Sequence, residues 1–357
     1  MLDRQRPSLP PQIWFTLAML LLLIGLVASI LLGYAPERRL QAQDDPPAPW
    51  QGDAPLISSE PTETPAHTPD PTALARASAT PFRATPMPSP TSNPLFVAST
   101  RLAERPQEDH FWLARPIAAD GVDRIAPFYP YGSRNDGTYP IHQGVEFVNP
   151  MGTEVLAVAS GTVVVAGEDS TQVYGARTGF YGLLLVLELD RTYLGQPVYA
   201  LYGHLSKLMV QEGQRVETGD VIALVGMTGI AEGPHVHFEV RWGKMLPENT
   251  ANPELWLRPL EGRGTLAGLV VSTDDLVVPE VRVLLYRAEA PDRLVREIVS
   301  YPNRSVNPDP SWGENFAAGD LTAGRWVAKV YRNRIWHTNE FTINPGVTTW
   351  LRILVAK

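Results

Sequence analysis

The stretch Gly233–Val240, GPHVHFEV, sets two histidines one residue apart in a run that otherwise reads as a β-strand. Side chains alternate along a strand, so His235, His237 and Glu239 share one face while Val236, Phe238 and Val240 share the other. Two imidazoles on one face stand roughly 7 Å apart at the backbone, close enough to converge on one ion and its water; the plainer alternative is a solvated strand face. A second candidate lies in Tyr129–Phe147, YPYGSRNDGTYPIHQGVEF, where His142 and Glu146 are four residues apart. Gly144 and the following VNPMGT argue against a helix, and a straight strand would separate the pair by roughly 13 Å. The two can serve one ion only if the chain bends at Gly144. A third is YALYGHLS, with His204 at the end of an apolar run. The remaining histidines, His67, His110 and His337, lie outside these motifs and read as structural or solvated.

The elements that must position these residues are strands. The runs GTEVLAVASGTVVVAG, GLLLVLELD, PVYALYGHLS, GQRVETGDVIALVG and PHVHFEVRWG are short, β-branched and divided by glycine turns, with no helical period over a helix-length window. They predict an all-β domain over residues 96–260, with its core at 129–252. The stretch NPELWLRPLEGRG marks its end. A second β-rich block, 264–357, carries LAGLVV, VRVLLYR, AGRWVAKVYR and VTTWLRILVAK, spaced as in a small β-sandwich.

The N-terminal part differs in kind. Ile13–Tyr34, IWFTLAMLLLLIGLVASILLGY, is uncharged and long enough to cross a bilayer as one helix, with Trp14 and Tyr34 at the interfacial positions. It is longer than the apolar region of a cleavable signal peptide. Thirteen of the 34 prolines fall between Pro46 and Pro94, so residues 35–95 read as a Pro/Thr/Ser-rich, disordered stalk that cannot bury a core. Arg4 and Arg6 before the span balance Arg38 and Arg39 after it, and the stalk decides the orientation: residues 1–12 cytoplasmic, 13–34 transmembrane, the remainder outside. The expected protein is a single-pass cell-membrane protein. A net charge of -8 without dense basic runs disfavours a nucleic-acid partner. The lack of cysteine excludes disulfides, thiolate metal sites and a cysteine nucleophile.

HQGVEF, YGHLS and GPHVHFEV, in that order and with GTEVLAVASGTVVVAG and VQEGQRVETGDVIALVGMTG between them, resemble the M23 peptidases, the lysostaphin-like or LytM-type zinc endopeptidases that cut peptidoglycan cross-bridges. The resemblance covers residues 129–252. It implies an M23-type antiparallel β domain and Zn²⁺ held by His142, Glu146 and His237, with His204 and His235 as catalytic residues facing water and substrate. Glu146 departs from the family's aspartate. The implied function is hydrolysis of peptidoglycan peptides in cell-wall remodelling; the alternative is a degenerate, non-catalytic M23 domain that binds cell wall or activates another hydrolase. A biotinyl- or lipoyl-carrier reading of VQEGQRVETGDVIALVG lacks the modifiable lysine at the comparable turn. The last block resembles the carboxypeptidase-regulatory-like or transthyretin-like β-sandwich, which implies a spacer or adhesion module.

Overall fold

The computed structural model describes residues 109–357, except 136 and 303–305. The expected cytoplasmic segment, transmembrane helix and stalk at 1–12, 13–34 and 35–95 lie outside the described residues. Among those described, no helix is long and apolar enough to cross a membrane. The structure is all-β: two three-residue 3₁₀ turns, Pro247–Asn249 and Pro253–Leu255, are the helical elements described.

The first block contains β1 (Val145–Val148), β2 (Glu154–Leu156), β3 (Gly161–Glu168), β4 (Leu183–Leu189), β5 (Val198–Gly203), β6 (Lys207–Leu208), β7 (Arg215–Val216), β8 (Val221–Leu224), β9 (His235–Trp242) and β10 (Thr250–Ala251). A seven-stranded antiparallel sheet runs β1-β9-β5-β4-β3-β7, with β10 also on β9. A smaller sheet, β2-β8-β6, accompanies it. The apolar face of β9 sends Val236, Phe238 and Val240 into the main core with Val145 and Phe147 of β1 and Tyr202 of β5. Its polar face is buried as well: His237 is 4% exposed, and Glu239 and Arg241 are fully enclosed.

The second block has β11 (Arg263–Ser272), β12 (Arg282–Arg287), β13 (Ala290–Val299), β14 (Phe316–Thr322), β15 (Gly324–Arg332), β16 (Ile335–Ile343) and β17 (Thr348–Val355). They form two sheets, β14-β11-β17 and β13-β12-β15-β16, in which only the β11–β17 pairing is parallel. Leu266, Phe316 and Ile353 of one sheet meet Val283, Ile298 and Trp326 of the other in a second core. The blocks also share apolar surface, because Ala267, Trp312 and Ala317 belong to the main core together with Leu255 and Trp256. Across the same boundary Arg296 donates to Glu254 Oε1 at 2.7 Å and the Gly319 amide to Glu254 Oε2 at 2.6 Å, both side chains being buried.

One glycine sets the geometry on which the site depends. A Cβ at Gly144 would lie 2.4 Å from the Phe238 carbonyl oxygen and 2.8 Å from His237 Nε2. Only a residue without a side chain lets the chain press onto β9 there before β1 begins. Gly144→Ala should therefore push β1 off β9, lowering stability by about 1–3 kcal/mol and loosening the Glu146–His237 contact. Gly167→Ala, where a Cβ meets nothing within 4 Å, is the control and should stay within about 0.5 kcal/mol. Denaturant unfolding of the two variants checks this.

Candidate metal centre

The site is assembled by strand register. In the β1–β9 ladder Glu146 stands directly opposite His237 and Val148 opposite His235. Directly paired residues have Cβ atoms roughly 5 Å apart, so the Glu146 carboxylate and the His237 ring meet on one face. His142 precedes β1 in a loop fastened at two points: its amide donates to the Ser133 carbonyl at 2.9 Å, and its own carbonyl accepts from the Gly132 amide at 2.8 Å. Tyr129 stacks on its ring at 3.9 Å between centroids and 9° between planes. The bend required at Gly144 is thus present, and it brings His142 back over β9.

His142 Nε2 lies 2.8 Å from Glu146 Oε1 and 3.3 Å from His237 Nδ1, and His237 Nδ1 is 3.0 Å from Glu146 Oε1. All three side chains are buried. A tetrahedral ion with bonds of about 2.0–2.1 Å keeps its ligand atoms roughly 3.3 Å apart. The donor set, two imidazole nitrogens and one carboxylate oxygen, is one that such an ion accepts. The extra methylene of glutamate, relative to aspartate, is absorbed here, since a single oxygen reaches both rings.

The electrostatics favour a cation at this point. Burial disfavours charge on Glu146, yet His237 and His142 outweigh it and hold the carboxyl well below its ordinary range. Burial also works against charge on His237, but Glu146 and then Glu239 overcome it and raise the ring to about 9. Burial dominates at His142 and lowers it. Two carboxylates therefore draw positive charge to the atoms that face one another.

Behind the cluster lies a second layer. His237 Nε2 donates to Glu239 Oε1 at 3.0 Å, which holds a proton there and makes Nδ1, facing His142 and Glu146, the nitrogen whose proton a metal ion would displace. Glu239 also accepts from Arg241 Nε at 2.7 Å and from the Tyr181 hydroxyl. Burial alone would raise the Glu239 carboxyl; Arg241 first, then His237, hold it down to about 2. Tyr181 is pushed far up by burial and by the Glu239 charge, so it remains a phenol and donates. None of Glu239, Arg241, Tyr181 or Tyr129 was singled out for a role from the sequence. The signal for two of them was the same alternation that marked the histidines, because Glu239 and Arg241 continue the face of His235 and His237.

His204 and His235 lie beside the cluster, with ring centroids 4.7 Å apart. His204 follows β5 in a left-handed conformation, φ +61°, an uncommon backbone for a non-glycine residue. Its Nδ1 donates to the Thr228 carbonyl at 2.8 Å, which leaves Nε2 as the open lone pair. Burial, and then the neighbouring His237 and His235, lower it to about 4, so it is neutral at pH 7. His235 donates from Nδ1 to the Gly233 carbonyl at 2.7 Å and sets Nε2 3.2 Å from Glu146 Oε2. Both histidines and the three clustered residues line one groove of about 670 Å³, walled by aromatic side chains including Tyr129, Tyr139 and Phe180.

The site is a groove-lining His/Glu/His cluster on an antiparallel β sheet, backed by a buried carboxylate, a donor set that could hold a metal ion. In comparison with known proteins, residues 140–251 match peptidase family M23. An uncharacterized metalloprotease of Haemophilus influenzae is 40% identical over 98 residues, 28% of this chain and 18% of its own length. The peptidoglycan DD-endopeptidase ShyB of Vibrio cholerae is 36% identical over 99 residues, 28% of this chain and 20% of its own. The chain thus spans about a fifth of each of these relatives, and what it shares with them is a domain. The catalytic domain of the antimicrobial peptidase lysostaphin from Staphylococcus simulans aligns at 29% identity over 36% of this chain and 88% of that one, with a TM-score of 0.30.

If Glu239 orients His237, Glu239→Gln should weaken divalent-metal affinity about 10–100-fold, read by competition against a chromophoric chelator at pH 7. Arg241 loses its counter-charge in the same variant, so the thermal midpoint should fall as well. Tyr181→Phe removes one neutral donor and should shift affinity by less than tenfold.

Proposed function

We propose that the chain is a zinc-dependent endopeptidase that hydrolyses peptide cross-links of bacterial peptidoglycan during cell-wall remodelling. The observation that carries this reading is the convergence of His142, Glu146 and His237 beneath a groove whose rim holds two further histidines. The M23 match and the relatives described as metalloprotease and peptidoglycan DD-endopeptidase support it. Zinc is the ion of choice for this donor set: when bound, it lowers the pKa of a water and polarises the scissile carbonyl.

The chain's own residues do the rest. Glu146 and the rings of His142 and His237 hold the ion, with Glu239 fixing His237 from behind. His204, neutral and with Nε2 free, is the proton acceptor on the groove side. His235, whose Nδ1–H is committed to the Gly233 carbonyl, presents Nε2 to the reacting centre; protonated there, it donates to the developing oxyanion or to the leaving amine. The aromatic walls of the groove position an extended peptide and exclude water from its backbone.

The membrane arrangement belongs to the same proposal. Residues 13–34 anchor the chain, N-terminus inside, and 35–95 carry the catalytic domain away from the membrane towards the wall. The C-terminal block serves as a spacer or adhesion module of carboxypeptidase-regulatory-like type, and it carries none of the proposed catalytic residues.

The purified chain should bind about one zinc per molecule and release soluble peptides from purified wall. His237→Ala should lose the metal. His204→Asn, which keeps a residue tolerant of positive φ, and His235→Ala should retain zinc and lose at least about 100-fold in hydrolysis. Metal analysis and fragment release, measured on the same preparations, check both halves. Zinc retention with no hydrolysis by the parent would favour the non-catalytic wall-binding alternative.

A further inference from the structure

We propose that Arg177 is the residue by which the groove recognises a carboxylate on its peptide substrate. The inference rests on the reading of the groove as a peptide site and names what that site selects. Among the residues lining the groove, Arg177 is the only lysine or arginine. The carboxylates there are already engaged: Glu146 by the histidines, and Glu232 by the Tyr139 hydroxyl at 2.7 Å. Arg177 is exposed and has no hydrogen bond or ion pair to any described residue. It is the groove's one uncommitted formal charge, on a wall otherwise largely aromatic and apolar.

Its position is built. Arg177 sits in the loop 169–182 between β3 and β4. The buried Asp169 closes the loop base: its carboxylate accepts from the amides of Tyr181 at 2.8 Å and Gly182 at 3.0 Å, and its carbonyl accepts from the Gly179 amide at 2.9 Å. Three residues before Arg177, the Tyr174 carbonyl accepts from Arg241 at 2.5 Å, the same arginine that clamps Glu239 behind His237. The loop that carries the cation is thus tied through one guanidinium to the residues behind His237, which keeps Arg177 on the wall of the same groove that His237 lines. A guanidinium suits a carboxylate because its planar fork takes both carboxylate oxygens.

The peptides of a bacterial wall offer two sources of this group, a C-terminal α-carboxylate and a side-chain carboxylate. The test uses the full-length zinc-loaded chain and soluble cross-linked stem-peptide dimers from purified wall, either untouched or with their carboxylates amidated by carbodiimide. Amidation should raise the parent's KM about five- to tenfold with kcat within about twofold. Arg177→Gln should raise KM for the untouched dimer by the same factor, and amidation should then add less than about twofold. Arg177→Lys should recover part of the loss, because it restores the charge without the fork. Equilibrium dialysis of the same dimers against parent and Arg177→Gln repeats the comparison as Kd, so a chain that hydrolyses nothing still decides the role of Arg177 while the peptidase reading fails separately. Two synthetic stem peptides, one amidated only at the C-terminus and one only at the side chain, identify the source by which amidation abolishes the Arg177 dependence. No preference of the parent for the carboxylate form, an equal amidation penalty in parent and Arg177→Gln, or indifference to both single amidations would each overturn the proposal.

Discussion

A carboxylate with no access to solvent must be neutralised by its neighbours, and Glu239 imposes that constraint on everything around the site. Arg241, His237 and the Tyr181 hydroxyl each supply hydrogen bonds to it, and each is thereby held in one orientation. His237 is left with its Nδ1 directed at Glu146 and His142. Arg241 spends its other nitrogens on the carbonyls of Met245 and Tyr174, fixing the chain beyond β9 and the loop before β4. An isolated buried ion costs several kcal/mol, so these partners cannot leave singly without destabilising the rest. The position of the candidate ligand is a by-product of satisfying a charge.

The same logic operates where the two β blocks meet. Glu254 is enclosed and answered by Arg296 and the Gly319 amide, and burial still raises its carboxyl pKa despite the arginine. Close by, the His110 ring faces Asp309 at 2.9 Å, Tyr193 donates to Asp309 at 3.0 Å, and Trp112, Tyr193 and Trp256 pack around the histidine. His110 and Asp309 are far apart in sequence and meet only through the fold. The stretch Pro253–Leu257, which reads as a joint because of its proline, is buried between these contacts. Leu255 and Trp256 enter the main core from it.

Backbone conformations of limited tolerance gather at the groove. His204 takes a positive φ immediately after β5, and Gly144 lies so near β9 that a Cβ there would meet the Phe238 carbonyl. Both bring a side chain or a strand closer to the cluster than regular strand geometry allows. The strain at His204 persists because surrounding contacts over-determine it, the Thr228 carbonyl on its Nδ1 among them.

The sequence by itself determined the strand content, because β-branched runs between glycines leave little choice of local structure, and it marked the histidines through their period of two on one face. It also showed that His142 and Glu146 need a bend at Gly144 to meet, since a straight strand keeps them apart. It could not show which residue stands opposite Glu146, because register is set by long-range pairing. That pairing puts His237 there and turns a four-residue spacing and a two-residue spacing into one cluster. Glu239 and Arg241 were legible as the continuation of a polar strand face, but their burial was not, since it depends on Tyr181 and Tyr174 from a loop more than fifty residues earlier in the chain. Nothing in the local sequence distinguishes Arg177 from other exposed arginines. Only the tertiary structure decides that it overlooks the groove, because proximity across a fold is a property of packing and not of spacing.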